Sequence, residues 1–590
     1  MLRPFLIVAL ALTALPAAAQ LATPNVAAAN PADAAFRALA DAEWKWRQAQ
    51  FRDEGESGVA ARLPDIGPAA QARRAAYWSD VAKRLDALDQ GKLSAEARVD
   101  FQVYRAQIAR QLDDQKFREF ELPLNSDSAF WSDIQYTARN DFRRGEPDYR
   151  AYLKQLADLP RYFDQQTANM AAGLARGFTP PKAIMAGRDA SIAAIAEASD
   201  PAKIVFFEPF TKLPASMPIA TRETLKREAR LVIAQKVIPA YAKLLKYYRE
   251  TYYPGMRADL AAENYRDGKA YYASRIRVYT TTDLSADAIH RIGLSEVAKI
   301  KARMGDTMRA TGFKGTLPEF LVFLKTDPQF YVTTPQALLD RAAWTAKEFD
   351  RVAARWFGRL PRGRFGIVEV PPDIAPYYTA GRGGAGGYLL NTYDLPSRPL
   401  YSLPALTLHE SAPGHSWQIS LSNENIALPA WRRYDYISAY GEGWALYTEL
   451  LGEEMGMYKS PYELFGMLSY QMWRACRLVI DTGIHAKGWT REQGLAFMRD
   501  NTALSEREVT TEVDRYIGWP GQALSYYLGE LEIVKARKKA EAALGAKFDI
   551  RAFHDTVLSL GSVPLPVLSS RVDRFIAEGG KGPYADERRR

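Results

Sequence analysis

The segment between His409 and His415 places the strongest local constraint on how this chain can fold. Two imidazoles and a nearby carboxylate are a common ligand set for a catalytic metal ion, but here the histidines stand six residues apart. Six residues of a regular α-helix turn through roughly 600°, which would leave the side chains about 120° apart. Pro413 cannot donate its backbone nitrogen, and Gly414 tolerates unusual backbone angles. We therefore expect the helix to bend or bulge at Pro413-Gly414, which would bring His415 back beside His409.

Two glutamates complete this candidate metal site. Glu410 directly follows the first histidine, and Glu442 stands in the segment G-E-G-W-A-L-Y-T-E. We predict that His409, His415 and Glu442 bind the metal and that a water molecule takes the fourth position. Glu410 is then the general base that removes a proton from that water. Glu449 lies on the same helical face as Glu442 and is a candidate acceptor for the free imidazole N–H of a ligand histidine.

Five segments in the last third of the chain resemble, in order, the motifs of one bacterial family, the domain of unknown function 885. They are L-H-E-S-A-P-G-H (408–415), G-E-G-W-A-L-Y-T-E (441–449), D-T-G-I-H-A-K-G-W-T (481–490), R-Y-I-G-W-P-G-Q-A-L-S-Y (515–526) and F-H-D-T-V-L-S-L-G (553–561). That family resembles the gluzincin metallopeptidases, in particular oligopeptidases and carboxypeptidases of the thimet-oligopeptidase and thermostable-carboxypeptidase type. The resemblance implies a mainly α protein, a large helical bundle with a central cleft, that binds one Zn²⁺ per chain.

Four polar residues in these segments are further candidates for the chemistry. Peptide hydrolysis builds an oxyanion, to which a tyrosine, a protonated histidine or an arginine can donate. The resemblance favours Tyr526, because related helical carboxypeptidases carry a similar S-Y-x-x-G segment, and His485 is the second candidate donor. Arg515 could alternatively hold the C-terminal carboxylate of a substrate, which would make the protein a carboxypeptidase. Tyr516, beside Arg515, is assigned to substrate binding.

Apolar periodicity predicts helices along most of the chain before Leu360. The predicted helices cover Ala34–Phe51, 70–90, 94–117, 147–176, 182–198, 221–252, 285–312, 317–326 and 334–358. We expect a signal peptide over 1–19, an N-terminal helical region over 20–359 and a metal-binding region over 360–590. The two regions would pack as one two-lobed unit.

A small β-hairpin or sheet is predicted just before the metal-binding helix. The segments 365–370 and 388–393 alternate and carry β-branched or aromatic residues, whereas the glycine-rich 377–387 reads as a flexible loop. No Lys-Ser/Thr follows the glycines, which argues against a phosphate loop. An extended substrate can pair with an edge strand, so Asn391 and Tyr393 are candidates for substrate contact. A hairpin that only caps the helices is the open alternative.

The N-terminus predicts export. A positive start, the apolar run 5–15 and the small residues Ala17 and Ala19 are typical of a secretory signal peptide cleaved after Ala19. The apolar run is too short to span a bilayer, so we expect no integral membrane segment after cleavage and a periplasmic or secreted location. The single cysteine, Cys476, excludes an intramolecular disulfide. Acidic and basic residues are interleaved despite a net charge of +9, which argues against a nucleic-acid partner.

Together these patterns predict an exported zinc metallopeptidase that hydrolyses short peptides, acting as an oligopeptidase or a carboxypeptidase. Two alternatives stay open. One is a non-catalytic helical peptide-binding protein, in which the metal is absent or structural. The other is a zinc hydrolase that acts on esters or on amides other than peptides.

Overall fold

The computed structural model describes residues 30–51, 60–140, 143–372 and 374–584. The predicted signal peptide over 1–19 lies outside these residues. Contacts divide the chain into two compact units. The first runs to Leu260 and the second continues from Asp267. Between them, Ala261–Glu263 belong to the second unit and Asn264–Arg266 to the first. The change of pattern at Leu360, from which the sequence predicts a boundary, lies inside the second unit.

The first unit is built from helices. They are α1 Pro31–Phe51, α2 Pro68–Asp86, α3 Ala95–Phe117, α4 Phe130–Asn140, α5 Glu146–Ala175, α6 Ala190–Ala196, α7 Glu208–Thr211, α8 Ile219–Val232, α9 Ile238–Tyr247 and α10 Tyr253–Gly255. Single π-helical turns at Ile233–Val237 and Tyr248–Tyr252 join α8, α9 and α10, as the long predicted helix over 221–252 requires. The predicted helix over 182–198 is shortened to α6, because Gly187 adopts a left-handed φ of +74°.

A buried ion pair ties the first three helices together. Glu43 of α1 is fully buried and accepts hydrogen bonds from Arg47 Nη2 at 2.6 Å, Trp78 Nε1 at 2.9 Å and Tyr104 OH at 3.0 Å. A buried carboxylate loses its hydration, and these donors from three helices compensate for that loss. The relative positions of α1, α2 and α3 therefore depend on one buried acidic side chain.

The second unit is also mainly helical. Its helices are α11 Gly268–Thr280, α12 Ala286–Ala310, α13 Leu317–Thr326, α14 Pro335–Trp356, α15 Leu403–Glu410, α16 His415–Glu424, α17 Ala430–Arg433, α18 Ser438–Glu454, α19 Pro461–Lys487, α20 Arg491–Asn501, α21 Glu506–Gly518, α22 Ser525–Leu544, α23 Ile550–Leu558 and α24 Leu565–Ala577. The predicted mainly α fold is confirmed. None of the helices in the described part of the chain has the length and apolar composition needed to cross a bilayer.

A small three-stranded sheet packs against α15. Its strands are β1 Gly366–Glu369, β2 Gly381–Gly384 and β3 Gly387–Leu390, in the order β1-β3-β2. β1 runs parallel to β3, whereas β2 is antiparallel to it and pairs Gly383 with Tyr388. The small sheet predicted just before His409 is thus present. The expectation of a flexible loop over 377–387 is wrong, because part of that segment is the edge strand β2.

Helices α18 and α22 cross at a pair of glycines. A Cβ added to Gly443 would lie 2.5 Å from the Cα of Gly529, and a Cβ added to Gly529 would lie 2.0 Å from the carbonyl oxygen of Ala439. Only glycine fits at either position, so the two backbones pack directly against each other. Glu442 and Tyr526 stand within one turn of these glycines, so the crossing sets how closely the two side chains approach.

We expect Gly529→Ala to lower the free energy of unfolding by about 1–3 kcal/mol, because the methyl group would force the two helices apart. Gly305→Ala in α12 is the matched control, since a Cβ there meets only the end of Arg309 at 3.6 Å. That variant should gain about 0.5–1 kcal/mol, the usual advantage of alanine within a helix. Urea unfolding measures both, and equal stability of Gly529→Ala and the wild type would contradict the crossing.

Candidate metal centre

The chain breaks its helix completely between the two histidines. α15 ends at Glu410 and α16 begins at His415, so there are two helices where the sequence suggests one bent helix. The break places one imidazole in the last turn of α15 and the other at the start of α16. The ring centroids of His409 and His415 lie 4.9 Å apart. The two histidines therefore lie side by side despite their six-residue spacing.

The break requires glycine at position 414 because there is no room for a side chain, and not because its φ is unusual. Its φ of −76° is open to any residue, but an added Cβ would lie 1.9 Å from the carbonyl oxygen of His409. The Gly414 N–H donates to the carbonyl of Leu408 at 3.0 Å. From α18, Trp444 Nε1 donates to the carbonyl of Pro413 at 2.8 Å. These contacts fix the break against both α15 and α18.

Glu442 and Glu410 lie against the same two imidazoles. Oε2 of Glu442 is 3.7 Å from His409 Nε2 and 3.3 Å from His415 Nε2. Atoms of His409, Glu410 and His415 that could bind a metal lie within 4.8 Å of one another. All four side chains are buried, with between 2% and 9% of each residue exposed. The structure thus brings together the four residues that the sequence singles out.

Glu449 fixes the tautomer of the first histidine. His409 Nδ1 lies 2.7 Å from Oε1 of Glu449, a completely buried carboxylate that also pairs with Arg474 Nη2 at 3.2 Å. A proton on Nδ1 is donated to this carboxylate, so Nε2 is the nitrogen that faces Glu442. A metal-bound histidine typically has this arrangement, with a carboxylate behind it. The donor set of two imidazoles and one carboxylate therefore fits Zn²⁺.

The electrostatics of this cluster also favour a cation. Burial of His409 opposes its charged form, but hydrogen bonds to Glu442 and Glu449 and the charge of Glu410 outweigh burial and raise its pKa to about 10. Burial alone would raise the pKa of Glu442, yet the charge of His415 and hydrogen bonds to both histidines hold that pKa well below its usual value. The carboxylates thus favour positive charge between them, which a divalent cation supplies.

The edge strand β2 holds Glu410. The N–H of Gly383 donates to Oε2 of Glu410 at 2.6 Å. A Cβ added to Gly383 would lie 1.7 Å from the carbonyl oxygen of Glu410, so only glycine lets the strand approach the end of α15. The sequence does not predict this contact, because glycines are depleted in strands and suggest a loop. No alternation of side chains over Gly381–Gly384 marks this strand in the sequence.

Tyr526 lies beside the first histidine. Its ring is nearly parallel to that of His409, with the centroids 6.5 Å apart and an angle of 13°. The Tyr526 hydroxyl accepts from Arg515 Nη2 at 3.2 Å and from Gln522 Nε2 at 3.5 Å. Both contacts use the oxygen as acceptor, which leaves the O–H proton for another acceptor. Arg515 is partly exposed and also donates to Gln522 Oε1 at 2.8 Å.

A second tyrosine, which sequence analysis did not single out, lies beside the other histidine. The ring centroid of Tyr436 is 6.4 Å from that of His415, and its hydroxyl donates to Glu442 Oε1 at 2.9 Å. Burial and the charge of Glu442 raise the pKa of Tyr436 well above its usual value, so the phenol keeps the proton that it donates. Its position in a short loop before α18 gives no periodic signal.

His485 and Tyr516 have structural partners instead of facing the cluster. His485 is fully buried, its Nε2 donates to the carbonyl of Tyr516 at 2.9 Å, and its Nδ1 accepts from the N–H of Ala262 at 3.1 Å. The backbone occupies both nitrogens, so this imidazole is not placed to donate to an oxyanion. The hydroxyl of Tyr516 donates to Glu512 at 2.8 Å and accepts from Arg477 Nε at 3.0 Å. These contacts argue against His485 as an oxyanion donor and against Tyr516 as a substrate-binding residue.

Asn391 and Tyr393, the two candidates for substrate contact that follow β3, differ in exposure. Asn391 is fully buried, its Oδ1 accepts from the N–H of Tyr393 at 3.0 Å, and its amide nitrogen donates to three carbonyls. Those carbonyls belong to Ala375, Tyr378 and Thr379. These contacts use its amide to close the loop before β2 instead of to contact substrate. Tyr393 is 44% exposed, and the Arg507 guanidinium lies 5.0 Å from its ring centroid.

Two solved structures share this architecture. A crystal structure described as that of a "putative lipoprotein" from Colwellia psychrerythraea is 27% identical, with a TM-score of 0.85 over 93% of this chain and 99% of that chain. A protein from Shewanella oneidensis, described in the same words and as of unknown function, is 17% identical, with a TM-score of 0.68 over 91% of this chain and 99% of that one. This second likeness shows the fold alone. Among curated proteins none matches the sequence.

The sequence also matches one family over most of its length. The match covers residues 51–572 and carries the description "Bacterial protein of unknown function (DUF885)". The matched range covers most of both units and every residue of the candidate metal site, and it confirms the family resemblance drawn from the five segments. This chain belongs to the DUF885 family of bacterial proteins.

Proposed function

We propose that this protein is an exported zinc-dependent hydrolase that cleaves peptide bonds in short peptides. The observation that carries the proposal is the convergence of His409, His415 and Glu442, with Glu410 beside them and Glu449 behind the first imidazole. His409, His415 and Glu442 would hold the ion. When bound, Zn²⁺ lowers the pKa of a coordinated water toward neutrality and polarises a carbonyl group.

Glu410 is suited to move the proton. One of its oxygens accepts from the Gly383 N–H at 2.6 Å, which fixes the orientation of the carboxylate. The carboxylate would accept a proton as water attacks the peptide carbonyl, and would then return the proton to the leaving nitrogen. A general base needs a fixed position near the reacting atoms, and Glu410 gains it from its place in the chain directly after His409.

Tyr526 is suited to stabilise the oxyanion that forms as the carbonyl is attacked. Its O–H proton is not used in the contacts with Arg515 and Gln522, and its ring lies against His409. A hydrogen-bond donor placed where negative charge develops is worth several kcal/mol in such reactions. Arg515 holds the hydroxyl oxygen in place and adds positive charge nearby.

The proposed substrate class and the proposed cellular location are not supported by the geometry of the site but by the comparisons and the sequence. Short peptides are the substrates that the resemblance to helical oligopeptidases implies. The 27%-identical structure from Colwellia psychrerythraea is described as a "putative lipoprotein", which supports an exported or envelope-associated location and agrees with the sequence-based signal peptide. An ester or non-peptide amide would use the same residues, so the assay must include such substrates.

The metal site is tested by zinc content. We expect one zinc per chain in the purified protein and none in His415→Ala, because the variant removes one of three ligands. His290→Ala is the matched control, since its Nδ1 contacts Thr482 at 2.8 Å outside the cluster, and it should retain zinc. Mass spectrometry of the metal measures all three. Absence of zinc from the wild type after reconstitution would overturn the proposal and favour the peptide-binding alternative.

The general base is tested by Glu410→Gln. We expect hydrolysis to fall by about 10²–10⁴-fold while zinc is retained, because the amide keeps the shape but cannot accept the proton. Glu453→Gln, at an exposed position of α18, should keep full activity. The assay is a digest of short peptides with free and blocked C-termini, read by mass spectrometry, beside model esters. Full activity of Glu410→Gln would exclude Glu410 as the base.

The oxyanion donor is tested by Tyr526→Phe. We expect kcat to fall by about 10²–10³-fold with little change in KM, because the hydroxyl acts on charge that is absent from the bound substrate. The adjacent Tyr527→Phe is the control, since its hydroxyl donates to Glu296 at 3.2 Å and should not affect the reaction. A change in KM alone would assign Tyr526 to substrate binding.

A further inference from the structure

The hydroxyl of Tyr436 contacts the carboxylate that we assign to the metal. We infer that Tyr436 is a positioning residue that holds Glu442 as a ligand, and that Gly441 is glycine because the Tyr436 ring occupies the space of its side chain. This inference rests on the proposed metal site and adds to it two residues that the motif of histidines and glutamates does not include.

The two oxygens of Glu442 have separate partners. Oε1 accepts from Tyr436 OH at 2.9 Å, whereas Oε2 faces the two imidazole nitrogens of His409 and His415 at 3.7 and 3.3 Å. A carboxylate can rotate about its last carbon–carbon bond, so a donor on one oxygen determines where the other points. Glu442 is buried, and without Tyr436 the Oε1 atom would lose this donor. Ligating carboxylates are commonly held by such hydrogen bonds.

The Tyr436 ring reaches this position from the loop before α18. Ile437, the next residue, is anchored because its N–H donates to Ser562 Oγ at 2.7 Å. The ring then lies over the first turn of α18, where Gly441 stands. A Cβ added to Gly441 would lie 2.3 Å from Cε2, 2.5 Å from Cζ and 2.6 Å from the hydroxyl oxygen of Tyr436. No rotation about the Gly441 backbone removes this overlap inside a helix.

Glycine inside a helix is unfavourable relative to alanine, so its presence next to a ligand calls for a local cause. The overlap with Tyr436 supplies one. The second glycine of the G-E-G segment has a different cause, since Gly443 packs against the backbone of Gly529. The segment around Glu442 therefore combines a ligand, a helix crossing and room for the tyrosine that orients the ligand.

The test is zinc affinity, measured by competition with a chromophoric chelator on the full chain. We expect Tyr436→Phe to bind zinc about 10–100-fold more weakly, while the metal-free variant stays folded at the temperature of the titration. Tyr434→Phe, at a position 44% exposed in the same loop, should bind as the wild type does. An affinity of Tyr436→Phe within twofold of the wild type would overturn the inference but leave the metal site intact. A wild type that binds no zinc would overturn both.

A double-mutant cycle tests whether Gly441 is needed to leave room for the Tyr436 ring. We expect Gly441→Ala to weaken zinc binding by at least tenfold when Tyr436 is present, because the methyl group displaces the ring. In the Tyr436→Ala background the same substitution should change the affinity less than twofold, since the space is then free. Equal losses from Gly441→Ala in both backgrounds would contradict the steric argument.

Discussion

The hydrogen bond between His409 and Glu449 is the contact on which the candidate site depends. Glu449 is completely buried, so its charge must be compensated inside the protein, and the imidazole and Arg474 provide that compensation. These three residues belong to α15, α18 and α19, and the bond therefore fixes three helices relative to one another. It also leaves Nε2 of His409 facing Glu442, and the other residues of the cluster are arranged around that nitrogen.

Precision at this site comes from backbones in direct contact. Gly383 brings β2 against the end of α15, Gly414 lets the chain break return to His409, and the glycines at 443 and 529 let α18 and α22 touch. Backbone atoms have far less freedom than side chains, so such contacts set distances within narrow limits. The glycines around the histidine and glutamate motifs are thus part of the geometry that positions the ligands.

The residues that carry chemistry could be predicted where their type and spacing are unusual. His409, Glu410, His415 and Glu442 form such a pattern, and apolar periodicity likewise predicts most helices. The strand β2 could not be predicted, because its place depends on a backbone N–H that meets Glu410 and leaves no pattern of side chains. Tyr436, one of many tyrosines, was missed for the same reason. His485 shows the reverse error, since membership of a motif does not distinguish a buried structural histidine from a catalytic one.

The last family segment, F-H-D-T, shows how a motif outside the cluster can still constrain it. Burial keeps His554 neutral and lowers its pKa to about 3, and its Nδ1 donates to the carbonyl of Trp356 at 2.8 Å. Asp555 accepts from the N–H groups of Gly358 and Arg359, both at 3.0 Å. These bonds fix the chain where α14 ends and leads into β1. Because β1 pairs with β3, and β3 with β2, the position of that turn limits where β2 can meet Glu410.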